Sequence, residues 1–154
     1  MSGEVLHIHV VPTAEGDPMP VNSVRAEAGH GLEGDRYHAH SGTYSEKGGP
    51  GREVTLIASE AIEALEAEFG VTLAPGQSRR NITTLGIDLN EFVDKELRVG
   101  GAVFRGVRLC EPCDHLEGLV GQANTTRGLV HRGGLRCDIV SGGVIRVGDQ
   151  ITPV

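Results

Sequence analysis

Glycine interrupts this chain so often that no long regular element fits between its breaks. Of 23 glycines in 154 residues, Gly29, Gly31, Gly34, Gly42, Gly48, Gly49 and Gly51 all fall within one stretch that ends at Arg52. Glycine loses the most backbone entropy on ordering and belongs where the chain turns or where another group comes close. Residues 29–52 therefore read as long loops over a surface, the kind of segment that carries sites.

Between the breaks, β-branched and alternating runs predict strands over 4–11, 22–28, 53–57 and 79–85, and two more within 96–109. Residues 135–140 and 144–147 flank Ser141-Gly142-Gly143 as an expected hairpin. One helix is expected over 59–69, with Ser59 as N-cap and Gly70 as its stop. Ala58, Ala61, Ile62, Leu65 and Phe69 share its apolar face, and Glu60, Glu63 and Glu66 lie away from it, a solvated face on a scaffold helix. A second short helix fits 125–132, and 87–94 reads as irregular or briefly helical. Strands this short and frequent predict a mostly β fold: a curved, barrel-like antiparallel or mixed sheet with one or two packed helices. No linker or repeat divides the chain, so residues 1–154 are read as one domain.

A net charge of −7 and a pI near 5.4 argue against a nucleic-acid binder, which needs a basic face for phosphates. No apolar run approaches the roughly 20 residues of a membrane span, and residues 1–10 lack the pattern of a signal peptide. A cytoplasmic protein with no membrane association is expected. Lys47 and Lys95 are the only lysines beside twelve arginines. One sits in a Gly-rich loop and the other between acids, so neither suits a Schiff base and pyridoxal phosphate is not expected. Three cysteines point to metal, redox or nucleophilic use rather than a disulfide framework. Cys137, inside a strand-like run, reads as a small packed side chain.

Four clusters carry candidate chemistry. In Cys110-x-x-Cys113 a β-rich run meets Pro112, which suits the first turn of a helix. Cys113 then lies near a helix N-terminus, where N–H groups and the macrodipole stabilise a thiolate. Three readings stay open: a dithiol redox pair, a zinc site completed by His38-x-His40 or His7-x-His9, and a lone functional thiolate with Cys110 packed at the strand end. The second cluster, Gly31 to His38, is either an ordinary turn held by Asp35 and Arg36 or an anion site using the Arg36 fork. In the third, a strand over 79–85 would put Arg79, Asn81 and Thr83 on one face, lining an anion pocket or decorating a charged edge. The fourth, Thr126 to Arg136 followed by Gly142 to Asp149, adds Arg136 and other cations among turns.

In order along the chain, Gly31-Leu32-Glu33-Gly34-Asp35-Arg36, Arg52-Glu53-Val54-Thr55-Leu56-Ile57 before a helix, Arg80-Asn81-Ile82, Pro112-Cys113, and Gly142-Gly143-Val144-Ile145-Arg146-Val147-Gly148-Asp149 resemble the MOSC family. That family is named after the C-terminal domain of molybdenum cofactor sulfurase. The resemblance spans nearly the whole chain. It implies a β-rich, barrel-like fold and a cysteine that carries sulfur or binds the metal of a molybdopterin cofactor. Some relatives reduce N-hydroxylated substrates.

Transferred residue by residue, the resemblance makes Cys113 the metal ligand or sulfur acceptor. Gly34, Asp35, Arg36, Arg80 and Asn81 become cofactor-holding groups, with Thr83 and Arg136 beside them, and His38 and His115 become proton carriers. The chain departs from the family at Glu111, whose charge opposes a thiolate at Cys113, and at Tyr37, which separates Arg36 from His38. The expected activity is molybdenum-dependent reduction or sulfur transfer on a small-molecule substrate. The alternatives are a non-catalytic sulfur or cofactor carrier and a Cys110–Cys113 redox switch. With no flavin or haem motif, an electron-donor protein or a sulfur-donor enzyme is the implied partner.

Overall fold

The computed structural model describes residues 2–13, 15–39, 49–112 and 114–154. The short runs form strands β1 (Gly3–Val10), β2 (Met19–Val21), β3 (Ser23–Glu27), β4 (Gly31–Leu32), β5 (Val54–Ala58), β6 (Ile82–Leu85), β7 (Glu96–Val99), β8 (Ala102–Leu109), β9 (Leu135–Ser141), β10 (Gly143–Arg146) and β11 (Gln150–Pro153). Among the described residues the helices are α1 (Ser59–Phe69), α2 (Asp114–Val120) and α3 (Thr125–Gly128), and a 3-10 turn spans Leu89–Phe92.

Seven strands close into a barrel in the order β11-β7-β8-β9-β5-β6-β1, with β1 returning to β11 through Gly3↔Ile151 and Glu4↔Gln150. Closure leaves these strands no open edge. β2 hangs on β1 outside the ring, and β10, β3 and β4 form a separate small sheet. β5 and β6 run parallel, which requires a crossover, and α1 supplies it. The barrel is therefore mixed.

Alternation along the strands sorts side chains into two layers. Ile8, Val10, Val54, Leu56, Ile82, Leu97, Phe104, Leu135, Cys137 and Ile151 fill the barrel. On the outside, Ile57 joins Leu65, Val71, Leu73, Leu116 and Leu129 beneath the helices. β5 is thus apolar on both faces. Each such side chain contributes roughly 1.5–3 kcal/mol on burial.

Several details differ from the sequence reading. The N-cap of α1 is Ala58, in extended conformation and without a capping side chain, and Ser59 is already helical. β5 runs directly into the helix, so the last strand residue occupies the cap. Gly70 stops the helix as expected, left-handed at φ 67° with its N–H on the Glu66 carbonyl. The expected 135–147 hairpin does not form, because β10 pairs with β3 in the small sheet while β9 stays in the barrel. At the switch, Gly142 and Gly143 abut the Ala26 and Gly101 carbonyls, leaving no room for a Cβ. Residues 79–81 precede β6 rather than belonging to it, since Arg79 sits at φ 63° and breaks the extended run. β2, β4 and β11 went unread, α2 follows Pro112 where a helix start was expected, and the described residues hold three short helices where one or two were expected. Among the described residues, no helix is long and apolar enough to cross a membrane.

Candidate functional site

A polar row crosses the outside of the barrel at one level. Thr55 on β5 faces Arg136 on β9, and Arg136 faces Arg108 on β8. On the other side, the Asn81 N–H donates to the Thr55 carbonyl at 3.1 Å, and the His9 N–H donates to the Asn81 carbonyl at 2.7 Å. Their strand neighbours Ile8, Ile82, Leu56 and Leu135 point into the core, which turns His9, Asn81, Thr55 and Arg136 outward.

Asp35 anchors this row from the Gly-rich loop. Its Oδ1 accepts from the Val11 N–H at 2.8 Å, Arg36 Nη1 at 3.1 Å and Asn81 Nδ2 at 3.1 Å, while Oδ2 accepts from the Tyr37 N–H at 3.2 Å. Asn81 also donates Nδ2 to the His9 carbonyl at 3.2 Å, and its Oδ1 receives the Thr55 N–H and hydroxyl at 3.1 and 3.2 Å. Asp35 and Asn81 are each 2% exposed. Buried polar groups satisfied this completely rigidify a site. The Gly31–His38 cluster is therefore more than a local turn: Asp35 ties it to the end of β1 and the start of β6.

Guanidinium groups gather round this hub. Arg36 lies 4.7 Å from the centroid of the Tyr37 ring. Arg79 donates Nη1 to the Gly16 carbonyl at 2.7 Å. Burial lowers the Arg79 pKa, and the nearby Arg36 charge lowers it further, against Asp17, Asp35 and Glu15. Arg108 donates Nη1 to the Pro50 carbonyl at 2.9 Å.

Arg80 turns elsewhere. Its Nε donates to the Gly133 carbonyl at 2.8 Å, Nη1 to Ser78 at 3.3 Å and Nη2 to Cys110 at 3.1 Å. It thus fastens the segment that leads to Cys113. Cys110 is buried, with its N–H on the Gly134 carbonyl at 2.7 Å. Glu111 accepts the His131 N–H at 2.7 Å and meets His131 Nδ1 at 2.8 Å, so the carboxylate that opposes a thiolate is engaged by another loop. Cys113 lies outside the described residues, as do His40 and the side chain of His115; α2 begins at Asp114.

The remaining candidates separate. His38 Nε2 pairs with Glu27 Oε2 of β3 at 2.7 Å beside the His30 ring. Thr83 is buried one step along from the row, in register with His7 and Ile57. Gly34 adopts φ 89°, which a side chain would resist, and so lets the loop turn into Asp35. Burial pushes the Cys137 thiol well up, consistent with a packed, inert side chain. Among the described residues, no three His, Cys, Asp or Glu side chains are grouped to hold a metal.

The sequence reading offered His9 only as a zinc ligand beside His7 and gave Thr55 no role. His9 is 3% exposed, its Nδ1 has no hydrogen-bond partner, and burial followed by the neighbouring His7 lowers its pKa. Gly76 lies against its ring, where a Cβ would stand 2.6 Å from Cδ2.

Residues 43–152 match the model of the MOSC domain. The chain belongs to the MOSC family. The MOSC match takes in Asn81, Cys113 and Arg136, while Asp35 and Arg36 precede it. Solved structures with this MOSC fold include the YuaD protein from Bacillus subtilis, 16% identical, with a TM-score of 0.82 over 98% of this chain and 94% of that one. YiiM from Geobacillus stearothermophilus is 17% identical, with a TM-score of 0.75 over 99% and 75% of the two chains. YiiM from Escherichia coli is 18% identical, with a TM-score of 0.68 over 96% and 69%. At these identities the likeness is one of fold. No curated protein matches the chain.

Proposed function

We infer that this MOSC protein binds a molybdenum cofactor against the polar row, with Cys113 as metal ligand or sulfur acceptor. One observation carries the reading. Arg108 and Arg136 are direct cross-strand partners, and like charges in that position repel. An anion bound beside them offsets the repulsion, and a phosphate-bearing pterin is such an anion. The donor set fits the group: Arg136 and Arg36 for the phosphate, the Asn81–Thr55 pair as a rigid polar wall, and a soft thiolate for the metal.

When bound, the cofactor supplies two-electron redox chemistry or a transferable sulfur. The chain's own residues do the rest. Asp35 fixes Arg36 and Asn81 in place, and Arg80 fixes the approach to Cys113 through Cys110 and Gly133. His131 draws the Glu111 carboxylate to itself, which lessens its effect on a thiolate at Cys113. Of the two proposed proton carriers, His115 follows Cys113 by two positions, whereas His38 is held by Glu27. Reduction of an N-hydroxylated substrate would consume two electrons and two protons, break the N–O bond and release water. The electrons would come from an electron-donor protein and the protons from His115 and solvent.

Metal analysis of protein made in a cofactor-proficient host tests this reading. Stoichiometric molybdenum is expected, lost in Cys113→Ser and reduced in Arg136→Gln. Absence of molybdenum, or retention unaffected by both substitutions, overturns it. Turnover of an N-hydroxylated substrate with an artificial reductant supports an enzyme. Persulfide on Cys113 without metal replaces this reading with a sulfur carrier.

A further inference from the structure

A groove of about 410 Å³ opens between the β7–β11 side of the barrel and β10 of the small sheet. None of these strands contributes to the polar row. Arg98 and Arg146 both line it. Arg98 projects outward because Leu97 and Val99 fill the core, and Arg146 because Ile145 does. The two cations thus reach one space from two different sheets.

Both side chains are exposed, and neither is tied into the protein as several other arginines are. Arg36, Arg80, Arg108 and Arg132 each donate to a protein acceptor. Among the described residues, neither the Arg98 nor the Arg146 guanidinium has a hydrogen-bond or ion-pair partner. The acid in the groove is Asp149, whose Oδ2 accepts the Arg146 backbone N–H at 2.7 Å and lies over Gly100. Two guanidinium charges therefore face one carboxylate in a chain whose net charge is −7. Neutral hydrogen-bonding groups stand beside them: Thr152 is the cross-strand partner of Arg98, and Gln150 precedes it by two on the same face.

We propose that this groove binds the phosphate group of a small molecule, held between Arg98 and Arg146. Guanidinium forks match the oxygens of a phosphate and leave the remaining oxygens to Gln150 and Thr152. The groove is larger than one phosphate, which leaves space for the organic part of an ester. The assignment does not depend on molybdenum or on Cys113.

Pyrophosphate titrated into the ¹⁵N-labelled full chain at constant ionic strength, followed by NMR, tests it. Saturable shifts are expected at the Gly100, Gly101 and Asp149 amides and at the two arginine Nε–H groups. Arg98→Gln and Arg146→Gln should each weaken binding about tenfold. Asp149→Asn, which keeps the oxygen that accepts the Arg146 N–H, should tighten it by removing the competing charge. Shifts that never saturate, or that persist unchanged in both arginine variants, overturn the site. Malonate binding as tightly as pyrophosphate overturns its assignment to phosphate.

Discussion

Asp35 Oδ1 accepts a hydrogen bond from Asn81 Nδ2 at 3.1 Å across 46 residues of sequence. That contact joins the Gly-rich loop to the barrel wall and sets where Arg36 stands. It also explains why the polar row is rigid: the Asp35 side chain is fully buried and each of its oxygens is engaged.

Removing either partner strands donors in a buried place. Asp35→Ala leaves the Val11 and Tyr37 N–H groups, Asn81 Nδ2 and the Arg36 guanidinium without this acceptor, and should cost about 3–5 kcal/mol by urea denaturation. Asn81→Asp sets a second carboxylate against the first and loses both Nδ2 donations, so it should be at least as damaging. A loss below about 1 kcal/mol for both would show that the network does not hold the loop.

Arg80→Lys keeps the charge but cannot reach the Ser78, Gly133 and Cys110 carbonyls together. The expected result is local loosening: faster hydrogen exchange at the Cys110 amide and faster alkylation of Cys110, with a global loss of about 2 kcal/mol. Unchanged exchange at Cys110 would contradict the role of Arg80 as a fastener of that loop.

Two glycines separate backbone strain from steric contact. Gly70 sits at φ 67° with nothing within 4 Å of a built Cβ, so Gly70→Ala should cost about 1 kcal/mol. Gly134 sits at φ 113° with the Leu56 carbonyl oxygen where a Cβ would go, so Gly134→Ala should cost about 3 kcal/mol. Thermal melts of the pair compare them directly, and equal losses would refute the distinction.

His9 predicts a pH effect with a definite sign. Its folded pKa lies below the ordinary 6.5, so the unfolded chain takes up the proton first. Stability is then lost as pH falls from 6.5 through the folded pKa. In His9→Gln that share of the loss should vanish, giving a flatter dependence of the denaturation midpoint below pH 6.5 than in the parent chain. Parallel curves would show that His9 does not titrate differently in the two states.

Local chemistry made much of the fold legible. Gly70 announced the end of α1, and the β-branched runs announced β1, β3, β5, β7 and β8 within a residue or two. What failed was pairing. Ser141-Gly142-Gly143 has the composition of a hairpin turn, yet the glycines serve close contacts with Ala26 and Gly101 that only the assembled sheets create. The site was half legible for the same reason. Asp35, Arg36 and Asn81 stood out by type, whereas Thr55 and His9 belong to the row only because β5 and β1 flank Asn81. Arg80, an evident cation beside an evident amide, proved to face backbone carbonyls that lie 30 and 53 residues downstream.

The pairing of Gly3 with Ile151 and of Leu97 with Pro153 makes β11 the last stave of the barrel. Until the ribosome has released that strand, a nascent chain keeps the facing margins of β1 and β7 unjoined, however well its middle has condensed. Closure of the ring therefore waits on its most sequence-distant pairing, Gly3 with Ile151, and until that pairing forms those two margins stand open to other partners.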